Sequence, residues 1–136
     1  MNDNRDYGVA MLRITLGALI LFHGLVKIFV FTPAGTVGFF ASLGLPAPLA
    51  YLTILIEAGG GLALMAGVFT RYVALAQAAL LIGTIVTVHG ANGFGFSNKG
   101  GGWEYPAVWA MALVALSLMG NGAFALKLGR SQTAAA

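Results

Sequence analysis

Four long apolar stretches, at residues 7–31, 48–69, 72–88 and 103–126, constrain this chain more than any other feature. A helix of about 20 apolar residues is long enough to cross the hydrocarbon core of a bilayer. Only 8% of the 136 residues are charged and 59% are hydrophobic, whereas soluble domains carry about 25% charged residues. The sequence therefore predicts an all-α fold, a transmembrane bundle of four helices.

The connections predict how these helices are arranged. Residues 32–47 contain two prolines and three glycines and predict a loop, residues 70–71 a tight turn, and residues 89–102 a glycine-rich loop. Short connections make consecutive helices antiparallel neighbours. We therefore expect an up-down bundle that forms a single membrane domain over residues 1–136, with a polar tail at 127–136.

Small residues at intervals of four predict where helices approach each other closely. The second stretch carries such a stripe at Gly59, Ala63 and Gly67, and the third carries one at Ala79, Gly83 and Thr87. Because Glu57 and Gly59 project from nearly opposite sides of an ideal helix, both faces of the second helix are expected to pack. That helix should be central.

Basic residues predict the orientation. Cytoplasmic loops are enriched in Lys and Arg, and the side that holds both termini carries more of them than the side with Lys27 and Lys99. We expect a multi-pass protein of the cell (inner) membrane with both termini, and the 127–136 tail, in the cytoplasm. The basic residues on the terminal side are Arg5, Arg13, Arg71, Lys127 and Arg130.

The net charge and the first apolar stretch each have another interpretation. The net charge of +3 could suggest nucleic acid, but the basic residues are scattered singly, so no nucleic-acid partner is expected. The first stretch could be a cleaved signal peptide. No small-residue cleavage site follows promptly, and Lys27 ends the apolar run, which favours a membrane span.

Ionisable residues inside an apolar span are costly and mark candidate sites. Glu57 lies near the middle of the second stretch, His23 and Lys27 share one face of the first, and His89 and Glu104 bracket the glycine-rich loop. By depth, all five should converge on the outward half of the bundle. They are candidates for ligand binding or proton relay, although no catalytic residue can be assigned.

Each candidate also has a structural interpretation. Glu57 could be half of a buried ion pair, and Glu104 could favour the start of a helix, where the dipole stabilises an acid. Lys27 and Arg13 could each extend to lipid headgroups. We assign Arg13 and Arg71 to structure and topology. Two histidines and no cysteine make a poor metal site, so no bound metal is expected.

Several short motifs in this order resemble the DoxX family of small four-helix membrane proteins. The resemblance covers about residues 11–122. The motifs are Arg13 with Leu-Phe-His-Gly-Leu-Val-Lys at 21–27, Gly-Leu-Pro at 44–46, Glu-Ala-Gly-Gly-Gly-Leu at 57–62, Gly67 with Thr-Arg at 70–71, His-Gly at 89–90, Gly-Phe-Gly-Phe at 93–96 and Gly-Gly-Trp-Glu-Tyr-Pro at 101–106.

The resemblance implies the four-helix fold and an association with redox systems. The family is named for a small subunit associated with an archaeal thiosulfate:quinone oxidoreductase and quinol oxidase system, and other members are linked to redox-stress complexes with soluble partners. Since this chain has no cysteine, a direct thiol relay is not expected.

Three functions follow as hypotheses. The first is a membrane subunit that interacts with a quinone or quinol within a redox complex. No cofactor of its own is expected, and a quinone is the candidate ligand. The second is a non-catalytic anchor or assembly factor for a partner protein. The third is a small proton or solute transporter centred on Glu57. The expected partners are the lipid bilayer, a redox protein and further copies of the chain.

Overall fold

The computed structural model describes residues 3–126, and this part of the chain contains helices and no strands. A π-helical turn, Ile85–His89, and a short 3-10 helix, Gly90–Asn92, follow the fourth α-helix. The predicted all-α fold is confirmed. The α-helices are α1 (Asn4–Phe29), α2 (Thr32–Ser42), α3 (Ala47–Ala66), α4 (Thr70–Thr84) and α5 (Glu104–Met119).

Three helical segments are long and apolar enough to cross a bilayer: α1, α3 and the continuous segment Thr70–Asn92. The fourth apolar helix, α5, has 16 residues. The most extensive contacts pair α1 with α3 and α4 with α5, and contacts between α3 and α4 join the two pairs. These four helices form an up-down bundle, to which α2 is added.

The predicted loop at residues 32–47 is wrong for its first part, because residues 32–42 form α2. Pro33 occupies the first turn, where a missing N–H costs nothing. The hydroxyl of Thr32 accepts a hydrogen bond from the backbone of Gly35 at 3.2 Å. The buried Thr36 donates to the carbonyl of Thr32 at 2.9 Å. Proline and glycine here start a helix.

Two predicted boundaries also move. The helical segment that begins with α4 continues through Asn92, so the connection from it to α5 is shorter than the loop predicted at residues 89–102. At the other side, α5 ends at Met119, and residues 120–126 fold back over the bundle. Ala123 donates its N–H to the carbonyl of Asp6 at 3.0 Å, and Leu126 donates to Ala66 at 2.9 Å. The predicted tail at 127–136 lies outside the described residues.

The closest contacts between helices lie outside the predicted stripes of the second and third stretches; Gly67 of the first stripe is tightly packed, but against Ala125 in the segment after α5. A Cβ added at Gly24 would lie 2.6 Å from the backbone N of Ala58, and one at Gly61 would lie 2.6 Å from the backbone N of Leu21. A Cβ at Gly83, in contrast, would meet nothing within 4 Å. Close contact therefore joins α1 to α3, and Gly61 shares a helix face with Glu57, four residues before it.

Candidate functional site

A cavity of about 640 Å³ occupies the half of the bundle where α1 ends and α5 begins. Helix α2 and the connection between α4 and α5 contribute to its walls, together with inward faces of all four bundle helices. Most of the lining is apolar, and much of it is aromatic. The aromatic residues of the lining are Phe31, Phe39, Phe40, Phe96, Tyr105 and Trp109.

An ion pair between α1 and α3 lines this cavity. Lys27 Nζ lies 3.0 Å from Glu57 Oε1 and 2.7 Å from Oε2. The two side chains are 20% and 9% exposed. Their proximity depends on the close approach of α1 to α3 at Gly24, one turn before Lys27. Because each charge neutralises the other, the pair can exist at this depth in an apolar bundle.

Glu57 retains capacity to accept a further hydrogen bond. Oε2 is buried and, among residues 3–126, its polar contact is the Lys27 ammonium. A carboxylate has about four acceptor positions, so a ligand hydroxyl or a water molecule could bind without displacing Lys27.

His23 and Trp109 form a second polar group of the lining. His23 Nδ1 lies 2.9 Å from the carbonyl oxygen of Leu19. The imidazole packs edge-on against the Trp109 indole, with ring centroids 5.2 Å apart. Trp109 Nε1 is buried and has no hydrogen-bond partner among the described residues. An indole N–H can only donate, so the partner that it lacks among the described residues is a hydrogen-bond acceptor.

His89 enters the cavity from the π-helical turn. This turn closes with a hydrogen bond from the N–H of Gly90 to the carbonyl of Ile85, and π turns are common at functional sites. His89 Nδ1 lies 2.9 Å from the carbonyl oxygen of Gly101. The ring is therefore held between the end of the α4 segment and the loop that precedes α5.

Glu104 does not join the other four candidates. Its Oε2 accepts a hydrogen bond from the backbone of Phe96 at 3.1 Å, and the residue is not part of the cavity lining. It lies in the first turn of α5. The structure thus brings together His23, Lys27, Glu57 and His89 around one cavity, and uses Glu104 to fix the adjoining loop.

Gln77 is a lining residue that the sequence argument missed. It is 1% exposed, and its amide donates to the carbonyl of Ile56, the residue before Glu57. An uncharged polar residue in the middle of an apolar span was the available signal. Gln77 was missed because its side chain is polar but not ionisable.

The two arginines assigned to structure and topology lie at the opposite end. Arg13 is fully buried and donates to the carbonyls of Leu64 and Met65 at 2.7 and 2.6 Å, and to that of Ala123 at 3.0 Å. It does not extend to a headgroup. Arg71 is exposed in the first turn of α4, beside a separate cavity of about 630 Å³.

Within residues 3–126 no three His, Asp or Glu side chains are grouped closely enough to hold a metal ion. The polar side chains that line the cavity of about 640 Å³ offer hydrogen bonding and proton exchange. Imidazole and carboxylate groups can accept hydrogen bonds and protons, and ammonium and indole N–H groups donate hydrogen bonds. The surrounding apolar side chains strengthen these interactions by excluding water.

Comparison with known proteins gives a family. The DoxX family model matches residues 8–90, more than half of the chain. A protein of Bacillus subtilis named "Putative oxidoreductase CatD" is 40% identical over 88 residues, 65% of this chain and 64% of that protein. The inner membrane protein YqjF of Escherichia coli is 36% identical over 89 residues, 65% of this chain and 67% of that protein. No solved structure matches the chain.

Proposed function

This chain belongs to the DoxX family and is a membrane protein, and we propose that it is an inner-membrane subunit that binds a quinone or quinol for a redox partner. The observation that carries the proposal is the polar cluster in the cavity. A partly buried Lys27–Glu57 pair and an unpartnered Trp109 N–H line a cavity whose walls are mainly apolar and aromatic.

The cavity suits such a ligand in size and in chemistry. Its volume of about 640 Å³ lies within the range of about 300–1,000 Å³ that small-molecule sites occupy. A quinone has an apolar ring with two oxygens, and needs apolar walls with a few fixed polar groups. Trp109 Nε1 can donate to one oxygen, and the histidines and Glu57 can exchange protons with a quinol.

Electron transfer is assigned to a partner protein. Imidazole, ammonium and carboxylate groups move protons and do not store electrons, so the proposed role of this chain is to hold the ligand and exchange protons with it. The oxidoreductase name of the Bacillus subtilis relative supports an association with redox chemistry.

Ligand binding by matched variants tests the proposal. The protein, purified in detergent with native lipids, is titrated with decylubiquinone and decylubiquinol under anaerobic conditions. Lys27→Met and Glu57→Gln should each weaken binding about tenfold or more, because each removes a charged hydrogen-bonding group from the site. Lys99→Met and Glu104→Gln remove the same side chains outside the cavity and should bind as the unmodified protein does.

Absence of binding to either compound would contradict the proposal. Equal losses in the cavity variants and in their controls would also contradict it, because the effect would then not depend on the cavity.

The proposed orientation places both termini in the cytoplasm and the cavity in the outward half of the bundle. The support is the excess of Lys and Arg on the terminal side. Single cysteines at Ser131 and Asn98 can be labelled in intact cells with an impermeant maleimide, since the chain has no cysteine of its own. Labelling at Asn98 and protection at Ser131 is the expected result, and the reverse pattern would contradict the orientation.

A further inference from the structure

We propose that the cavity selects the reduced, hydroxyl-bearing quinol over the quinone, and that His23 and His89 determine this preference. The inference rests on the proposed function and specifies the redox form of its ligand. It follows from the hydrogen bonds that fix the two imidazole rings.

The tautomer of His23 is set by its backbone contact. Nδ1 lies 2.9 Å from the carbonyl oxygen of Leu19, and a carbonyl oxygen can only accept a hydrogen bond. Nδ1 must therefore carry the hydrogen. In the neutral ring the other nitrogen, Nε2, then has a lone pair and acts as an acceptor.

His89 repeats the arrangement from the other side of the bundle. Its Nδ1 lies 2.9 Å from the carbonyl oxygen of Gly101, which also accepts from the Asn92 amide at 2.9 Å. Again Nδ1 must donate, and Nε2 of the neutral ring must accept. Both histidines line the cavity. Their described hydrogen bonds to the protein use Nδ1.

These acceptors discriminate between the two redox forms. Each oxygen of a quinol can donate one hydrogen bond and also accept others, whereas each oxygen of a quinone can only accept. A quinol hydroxyl can donate to a histidine Nε2 and accept from the Trp109 N–H, which lacks a partner. A quinone oxygen beside Nε2 would place two lone pairs together, and a site built for a hydroxyl rejects an analogue without one.

The Lys27 ammonium does not reverse this preference. It could donate to a quinone oxygen, but both oxygens of Glu57 lie within 3.0 Å of it. It could equally donate to a quinol oxygen, which keeps its own lone pairs. Glu57 Oε2 adds a further acceptor for a hydroxyl. The difference in affinity between quinol and quinone therefore depends on the hydrogen-bond acceptors of the cavity, the histidine Nε2 atoms and Glu57 Oε2.

Three probes of similar shape test the inference: decylubiquinol, decylubiquinone and the dimethyl ether of the quinol, which keeps the ring oxygens and lacks their hydrogens. Affinities are measured by titration calorimetry in detergent, anaerobically, at about pH 8, where an ordinary imidazole is neutral. The quinol should bind about tenfold more tightly than the quinone or the ether, the effect of a well-formed hydrogen bond.

Glutamine variants separate specificity from structural damage. His23→Gln and His89→Gln each supply an amide that can turn to present either a donor or an acceptor. Each should reduce the quinol-to-quinone affinity ratio several-fold, whereas loss of structure would weaken both ligands alike. Glu104→Gln, outside the cavity, should leave the ratio unchanged.

The outcomes are distinguishable. Binding of quinone and quinol with equal affinity, tighter binding of the quinone, or binding of the ether as tightly as the quinol would each overturn the inference while leaving the proposed function intact. Failure of all three compounds to bind would overturn the proposed function and the inference with it. If one glutamine variant does not fold, the comparison of quinol with ether on the unmodified protein still tests the preference for the quinol, and the other variant still tests the role of the histidines.

Discussion

The two ends of the bundle each bury a basic side chain of α1, and they compensate its charge differently. Arg13 binds backbone carbonyls at the C-terminal end of α3 and one in the segment that folds back after α5. Lys27 binds the carboxylate of Glu57 beside the cavity. Arg13 thus binds three carbonyls in two segments of the backbone, whereas Lys27 binds one side chain.

This difference separates a structural contact from an adaptable one. Carbonyls at a helix C-terminus are fixed and carry the negative end of the helix dipole, so they hold the planar guanidinium in one place. A side-chain carboxylate can rotate, lose its partner to a ligand or take up a proton. The Arg13 end is therefore suited to stability and the Lys27–Glu57 end to binding.

Removal of Arg13 should have the largest effect on stability. Arg13→Met removes the guanidinium donor from the carbonyls of Leu64, Met65 and Ala123, of which that of Leu64 also accepts from the N–H of Gly67, and hydrogen bonds to a charged group contribute about 1.5–3 kcal/mol each. We expect a loss of at least about 3 kcal/mol, seen as a lower midpoint of thermal unfolding in detergent. Arg13→Lys should recover little, because an ammonium cannot reproduce the forked geometry. An unchanged midpoint would show that the carbonyls find other donors.

The Lys27–Glu57 pair should be replaceable as a unit, unlike Arg13. Glu57→Leu strands the ammonium, and we expect a loss of about 2 kcal/mol with all helices retained. The double variant Lys27→Met/Glu57→Leu should regain most of this stability, because an apolar pair can replace a buried ion pair. It should not regain ligand binding. A double variant as unstable as the single one would show that the ion pair, like Arg13, is required for stability.

Helix contacts near the cavity should show a smaller effect. Gly24→Ala adds a Cβ that would lie 2.6 Å from the Ala58 backbone N, so α1 must move away from α3 at a cost of about 1–3 kcal/mol. The same change at Gly83 meets nothing within 4 Å and should alter stability by no more than about 0.5 kcal/mol. Equal midpoints for the two alanine variants would contradict the assigned contact between α1 and α3.

The small-residue stripe predicted for the second stretch did not identify the face of α3 that packs against α1, and the sequence of α3 shows why. Residues 59–61 are all glycine, so the spacing of small residues is compatible with more than one face. The structure packs Gly61 against α1, and this choice also directs Glu57 toward Lys27. Pairing the buried Glu57 with the partly buried Lys27 outweighs the length of a small-residue stripe, because an unpaired charge inside the bundle is far more costly than a slightly wider helix contact.

The sequence by itself determined the class of fold, the approximate positions of the four apolar helices and the membrane environment, because these follow from local composition and hydrophobic length. It also singled out four residues that line the cavity. The helix at 32–42 and the His23 ring are fixed by local contacts that the sequence argument missed. Tertiary structure alone decided the position of Arg13, the separation of Glu104 from the cavity and the fixed ring of His89. Each of these depends on a backbone group brought in from elsewhere in the chain, or on a tertiary contact, and such groups leave no pattern in side-chain composition.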